Sequence, residues 1–247
     1  MSGNPINFSD PSGHRLWDGE GGGGSGTNVL AGIIAQKLMN LYNWSFSGNW
    51  NLTEIKEVRQ SAQDIEGKVQ SMGGNGQEWI RTYIGGVPFA KEHLVNFPNP
   101  TDGRYPKLDI SMNELLGGAI AFVFPSNRIT FSNTGINSGT IVHELGHTLD
   151  NWGGTSKVFE AAIFGGGWSD ALIESLGGKP YGIRCADKTP LELANFLPPG
   201  DYGMEHQADF FAQHFKYQIY GYPDNFDSQK AGLWMNVFIS VTISSLP

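Results

Sequence analysis

Two histidines four residues apart, with a glutamate directly after the first, lie in an apolar run between Thr140 and Leu149. In an α-helix, residues four apart lie about one turn along the axis and only ~40° around it, so His143 and His147 can bind one ion together. Glu144 projects beside them, where its carboxylate can reach a water held on that ion. The pattern therefore predicts a buried helix with a metal site.

The donor types indicate a catalytic zinc site. Two neutral imidazoles, one carboxylate and a labile water are typical of catalytic Zn²⁺, whereas structural zinc sites are closed and rich in thiolates. The chain has a single cysteine, Cys185. The alternative is a surface helix with two solvated histidines, but the uncharged residues 140–142 and the continuation at 148–149 favour a helix beneath a cleft.

The site needs a third protein ligand from elsewhere in the chain. Asp150 shares the helix face of the histidines, but it lies another ~4.5 Å along the axis, so its short side chain cannot easily reach the same ion. We expect it instead to support one of the metal-binding side chains or to contact the end of the helix. Glycines at 153–154 are expected to end this helix. A second helix is predicted within residues 201–215, where Glu205 and Asp209 lie one turn apart. Taken alone, this segment is better interpreted as an ordinary amphipathic helix with a solvated acidic face.

The two segments together resemble a known family. The blocks His143–Asp150 and Tyr202–Ala212 are similar to the catalytic domain of anthrax lethal factor and its relatives, which include the secreted Pro-Pro endopeptidases. These are zinc metallopeptidases of the zincin class, gluzincin type. The resemblance is limited to these two blocks, and the stretch between them is longer than in lethal factor.

The resemblance implies a role for each of five residues. His143 and His147 correspond to zinc ligands, and Glu144 corresponds to the general base. The family's third ligand, a glutamate, falls on Asp209. A tyrosine seven residues before that ligand, implicated in stabilising the transition state, falls on Tyr202.

The third ligand is also where the chain departs from the family. Asp209 is shorter than glutamate by one methylene, so the second helix would have to approach the metal more closely. Glu205, one turn earlier, remains the alternative third ligand.

The fold class expected from the resemblance is α+β: a zincin-like metallopeptidase domain with a small mixed sheet, an active-site helix and a helical C-terminal half. Residues 1–27 are predicted to form a Gly-rich N-terminal tail or loop, and residues 28–247 a single catalytic domain. Strands are predicted at 119–124 and 128–132. An exposed sheet edge there would pair with an extended peptide, although plain core strands fit the pattern equally well.

Two helices are predicted before these strands. Thr27 is expected to cap the first and Thr53 the second. The first carries an apolar stripe formed by Leu30, Ile33, Ile34, Leu38 and Leu41. The second carries inward-facing residues, Ile55, Val58, Ile65, Val69 and Met72, and is expected to end at the glycine pair 73–74.

The function implied is that of a zinc-dependent endopeptidase that acts on a peptide or protein substrate, with Zn²⁺ as cofactor and Glu144 as general base. Two alternatives stay open. A metal-dependent hydrolase of a non-protein substrate would use the same ion and base, because they attack other carbonyls too. A catalytically idle binding protein on a zincin scaffold is the other alternative.

Composition narrows the partners and the setting. Twenty-four acidic against sixteen basic residues give a net charge of −8, which disfavours nucleic acid and anionic membrane as partners. No apolar run approaches the ~20 residues of a membrane span. Polar Ser2, Gly3 and Asn4 after Met1 do not form a signal peptide. The resemblance nevertheless favours a secreted enzyme, expected to be a monomer.

Overall fold

The computed structural model describes residues 25–91, 121–123, 129–131, 136–153, 168–179, 191–198, 201–204, 207–222 and 229–247. These residues form a broadly α+β fold that is mainly helical, with one small sheet. The helices are α1 (Ser25–Tyr42), α2 (Leu52–Ser71), α3 (Gly76–Tyr83), α4 (Ser138–Gly153), α5 (Trp168–Ser175), α6 (Gln207–Tyr220) and α7 (Gln229–Ser244), with short 3₁₀ helices at Leu191–Phe196 and Tyr202–Met204. The strands are β1 (Ser45–Ser47), β2 (Pro88–Lys91), β3 (Ala121–Val123) and β4 (Ile129–Phe131).

The sheet is mixed and has the order β1-β2-β4-β3. β1 and β2 are parallel, β2 and β4 are parallel, and β3 runs antiparallel to β4. Both strands predicted from the apolar and alternating runs are therefore present, within the predicted ranges 119–124 and 128–132. Among the described residues β3 is an outer strand, and it lies against helix α4.

Helix α1 departs from its prediction at its start and on its buried face. It begins at Ser25, so the boundary at residue 27 was wrong and Thr27 lies inside the helix. Leu30, Ile33 and Leu41 are 43%, 44% and 37% exposed, against the prediction. The buried face consists of Ala31, Ile34, Ala35, Leu38 and Tyr42. Apolar residues occur on more than one side of this helix, so periodicity did not identify the face that packs. Residues 1–24 of the predicted tail lie outside the described residues.

Helix α2 is capped by Asn51, so the prediction of Thr53 was wrong. The Asn51 side chain accepts from the Glu54 amide at 3.0 Å, and the Glu54 carboxylate accepts from the Asn51 amide at 2.9 Å. This capping box satisfies two amides that the helix start leaves free, which a threonine at 53 would not do. The helix ends as predicted, since Gly73 has a φ of +87°. The predicted inward residues Ile55, Val58, Ile65 and Val69 are buried, whereas Met72 is partly buried.

Helix α2 also holds the start of helix α4. The Glu57 carboxylate accepts a hydrogen bond from the Ser138 amide at 2.9 Å, and the Ser61 hydroxyl donates to the Ser138 carbonyl at 3.2 Å. The Asn137 side chain accepts from the Thr140 amide at 2.9 Å. A carboxylate at a helix N-terminus is favourable because the free amides there carry partial positive charge. These hydrogen bonds fix the start of the helix that carries the His-Glu-x-x-His segment to helix α2.

The surface of helix α7 is partly apolar. Leu233, Val237 and Val241, each four residues from the next, are 65%, 55% and 55% exposed. In the part of the chain that the structure describes, no helix has both the length and the apolar character needed to cross a membrane.

Helix α6 contains a buried histidine with an acid-sensitive environment. His214 is fully buried, its ring lies 4.5 Å from that of Phe210, and neither ring nitrogen has a hydrogen-bond partner among the described residues. Burial lowers the pKa of His214 to about 3. Because the unfolded chain binds this proton at a pKa of ~6.5, the free energy of unfolding should fall as the pH drops from ~6.5 toward 3.

We expect His214→Leu to remove this acid sensitivity. The free energy of unfolding of the variant minus that of the wild type should be about 2 kcal/mol larger at pH 5 than at pH 7.5. Urea unfolding of both proteins at the two pH values measures this. The comparison between proteins cancels the titration of other groups. An equal difference at both pH values would contradict the prediction.

Candidate metal centre

Three side chains from two helices converge in the interior. His143 and His147 come from helix α4 and Asp209 from helix α6. The Asp209 Oδ1 atom lies 3.4 Å from Nε2 of His143 and 3.0 Å from Nε2 of His147. Their side chains are only 10%, 15% and 7% exposed. This group could hold a metal ion.

The spacing of the three donor atoms fits a small tetrahedral ion. Zinc bonds to nitrogen and carboxylate oxygen are ~2.0–2.2 Å long, so neighbouring donors of a tetrahedral site lie about 3.3 Å apart. The two separations of 3.4 and 3.0 Å bracket this value. Three protein donors leave a fourth position open, as in catalytic rather than structural zinc sites.

The charges of the group compensate one another when no metal is bound. Burial alone would raise the pKa of Asp209, but hydrogen bonds from His143 and His147 hold it well below its usual range. Burial alone would lower the pKa of His147, but the bond to Asp209 and the nearby Glu144 charge raise it to about 9. A proton thus stabilises the acidic ligand in the metal-free protein. Metal binding must displace that proton, because only neutral imidazole is a ligand.

Glu144 lies beside this group without belonging to it. The residue is 5% exposed, and its Oε2 atom has no hydrogen-bond partner within the described ranges. Burial raises the pKa of Glu144, an effect that the charges of His147 and His143 partly offset. A buried carboxylate oxygen without a partner is costly and requires an explanation. A water molecule on a bound ion would supply the missing partner.

The other predicted site residues have different outcomes. Asp150 accepts a hydrogen bond from the Ser169 amide at 2.7 Å, at the start of helix α5. Asp150 thus contacts the start of a neighbouring helix, and it is not part of the described group that could hold a metal ion. Tyr202 lies in the 3₁₀ helix Tyr202–Met204, where the structure describes its backbone but not its side chain. The alternative ligand Glu205 lies outside the described residues.

The second predicted helix begins later than its sequence pattern indicated. It starts at Gln207, after the 3₁₀ helix that contains Met204. Phe211 and Phe215 of this helix are fully buried. Met204 packs against the core from the preceding turn rather than from the helix. Asp209 is therefore in the first turn of helix α6.

Gly146 lets the two helices that carry the group pack closely. A Cβ atom at this position would lie 2.8 Å from the Cα and 3.2 Å from the Cβ of Ala212 on helix α6. The first contact is with backbone, which cannot move aside as a flexible side chain does. Close approach matters here because Asp209 has a short side chain that must reach both imidazoles.

We expect Gly146→Ala to separate helices α4 and α6 and to weaken metal binding by about tenfold or more, because ligand position is sensitive to small shifts. Overpacking should also lower the free energy of unfolding by ~1–3 kcal/mol. Zinc competition with a chromophoric chelator and urea unfolding measure the two effects. The matched control is Gly67→Ala at an exposed position of helix α2, where a Cβ meets nothing within 4 Å. Equal effects of both substitutions would contradict the close-packing argument.

Sequence reasoning missed one residue at the site. The Gln213 Oε1 atom lies 3.0 Å from Nδ1 of His143, the nitrogen that faces away from the proposed metal. Gln213 follows Asp209 by four residues on helix α6, so the two share a helix face. The same spacing argument that paired the two histidines would have identified it.

Neither the models of known protein families nor the curated proteins contain a match to this chain.

Proposed function

We propose that this chain is a zinc-dependent endopeptidase with a zincin-like catalytic domain, acting on peptide or protein substrates. The observation that carries the proposal is the convergence of His143, His147 and Asp209 with separations of 3.0 and 3.4 Å, beside a Glu144 oxygen that has no hydrogen-bond partner among the described residues. The donors match a catalytic zinc site in type, number and spacing. The adjacent carboxylate matches the general base that such a site needs.

In the proposed reaction Glu144 carries the proton transfers. When bound, zinc supplies a Lewis acid that polarises a carbonyl and makes water acidic near neutral pH. Glu144 takes one proton from the attacking water as the oxygen–carbon bond forms. The same carboxyl then gives that proton to the leaving nitrogen as the peptide bond breaks, so Glu144 returns to its starting state. Its raised pKa favours the first step, because a carboxyl that binds its proton more tightly is a better base.

Two further features support action on an extended peptide. Strand β3 is an outer strand among the described residues and lies against helix α4, which supports the proposal that it pairs with a substrate strand. Tyr202 lies seven residues before Asp209, which is in the first turn of helix α6. We assign Tyr202 the role of hydrogen-bond donor to the developing oxyanion, as the family resemblance implies.

The proposal extends to the setting of the enzyme. The similarity to secreted peptidases supports an extracellular, monomeric enzyme. The net charge of −8 supports a partner other than nucleic acid or anionic membrane.

Metal analysis combined with peptide cleavage tests the proposal. Purified protein is expected to contain one zinc ion per chain and to cleave members of a peptide library, with activity lost on chelation and restored by Zn²⁺. Zinc binding with hydrolysis only of non-peptide esters or amides would instead support the broader hydrolase. Zinc binding without any hydrolysis would support the idle scaffold. Absence of stoichiometric metal binding would refute all three.

A further inference from the structure

The side of His143 that faces away from Asp209 is held by a chain of hydrogen bonds. Gln213 Oε1 lies 3.0 Å from His143 Nδ1, and Gln213 Nε2 donates to Asp201 Oδ2 at 3.0 Å and to the Tyr217 hydroxyl at 3.0 Å. The Tyr217 hydroxyl in turn donates to Asp201 Oδ2. Gln213 is only 6% exposed, so its hydrogen bonds are made in the interior.

The proton positions in this chain follow from the carboxylate. The Asp201 carboxyl oxygens accept from three groups, so the Gln213 amide turns its NH₂ group toward Asp201. The Tyr217 proton also points to Asp201, and the tyrosine oxygen therefore accepts from Gln213. The remaining Gln213 atom, its carbonyl oxygen, faces His143 and can only accept. His143 must then carry a proton on Nδ1, so the neutral ring that a metal requires presents the lone pair of Nε2 to the proposed ion.

The same carboxylate is joined to the segment that carries Tyr202. The second oxygen of Asp201, Oδ1, accepts from the Gly203 amide at 2.8 Å. A Cβ atom at Gly203 would lie 3.1 Å from the Cβ of Gln213, so this turn packs directly on the glutamine. A displaced Gln213 side chain would therefore disturb both the metal-facing histidine and the turn Tyr202–Met204.

We propose that Gln213 and Asp201 are positioning residues of the metal centre: Asp201 orients the Gln213 amide, and Gln213 holds His143 in the tautomer that presents Nε2 to the metal. The inference rests on the proposed function only in taking His143 as a metal ligand. Partners of ligand histidines raise ligand basicity and fix the ring, and their loss typically lowers metal affinity ~10- to 100-fold. Asp201 additionally couples this histidine to the backbone beside Tyr202.

The test compares two glutamines of the same helix. Gln213→Leu removes the acceptor of His143, whereas Gln218→Leu removes an equally buried glutamine that donates to Asn236 at 2.6 Å, away from the site. Affinity for Zn²⁺ is measured by competition with a chromophoric chelator, and the Co²⁺ absorption spectrum reports ligand geometry. We expect Gln213→Leu to bind Zn²⁺ ~10- to 100-fold more weakly with an altered Co²⁺ spectrum. Gln218→Leu should stay within about twofold of the wild type.

Asp201→Asn provides a second variant with an intact turn. The new amide keeps an oxygen for the Gly203 amide, but its NH₂ group opposes that of Gln213, so the glutamine loses its fixed orientation. We expect a zinc affinity between those of wild type and Gln213→Leu. With saturating zinc, kcat should fall while KM stays unchanged, because the loss affects positioning rather than substrate contact.

The outcomes separate this inference from the proposed function. If the wild type binds zinc and cleaves peptides, but Gln213→Leu and Asp201→Asn bind zinc as tightly as Gln218→Leu, the inference is overturned and the function stands. If Gln213→Leu does not fold, Asp201→Asn decides by the same measurement. If the wild type itself binds no zinc, the proposed function and the inference are both overturned.

Discussion

Glu144→Gln is expected to lower peptide hydrolysis by ~10²–10⁴-fold while the protein still binds one zinc ion per chain. The amide has nearly the shape of the carboxylate but cannot accept the proton of the attacking water. The side chain is buried beside the three residues that could hold a metal ion without being one of them, so metal binding should survive. Turnover of a peptide substrate and zinc content of the purified variant are the two measurements.

The control for this experiment is Glu174→Gln. Glu174 is an exposed acid on helix α5, and its loss should leave hydrolysis and zinc content unchanged. A Glu144→Gln variant that keeps more than a tenth of wild-type turnover would remove Glu144 from the mechanism. A variant that loses its zinc would show instead that Glu144 helps to hold the ion.

Asp209→Ala is expected to weaken zinc binding by more than ~100-fold, beyond the range observed when only an outer partner of a ligand is removed. The structure offers no other described carboxylate within the group, so the two imidazoles would be left as the described protein donors. Chelator competition measures the loss. Zinc binding that is unchanged in Asp209→Ala would point to Glu205, the alternative third ligand, and the double variant would then be the next measurement.

The same variant should alter the pH dependence of the metal-free protein. The pKa of His147 is raised to about 9, so its pairing adds stability that is fully present below ~6.5 and is lost as the pH rises through 9. The pKa of Asp209 is lowered, so the stability that its ionised form adds is present above ~3.9 and is lost as the pH falls below that value. We expect urea unfolding of Asp209→Ala to show a much smaller decline between pH 6.5 and 9 than the wild type. An unchanged decline would show that Asp209 does not stabilise the charged imidazole.

Local sequence patterns anticipated the features that depend on neighbouring residues. The histidine pair and Glu144 were identified from one turn of helical spacing, which holds wherever the helix lies. Alternation and an apolar run located strands β3 and β4, because side chains of a strand point to opposite faces in turn. The glycine at 73 ended helix α2, because only a residue tolerant of positive φ fits there easily.

The errors arose where several local patterns compete. Helix α1 has apolar residues on several sides. The buried face is the one with Ala31 and Ala35, whose small side chains permit close approach. Helix α2 is capped by Asn51 rather than by the predicted Thr53, because Glu54 forms a reciprocal pair of hydrogen bonds with Asn51.

By itself, the amino-acid sequence determined the first half of the candidate site: one helix turn that presents two imidazoles and a carboxylate, since i to i+4 geometry is a property of any α-helix. Only the tertiary structure decided that Asp209 joins them and that Gln213 contacts His143 at Nδ1. It also decided that Gly146 permits the close approach of helices α4 and α6. These are contacts between helices far apart in the chain. Their distances depend on how the whole core packs, which no local pattern contains.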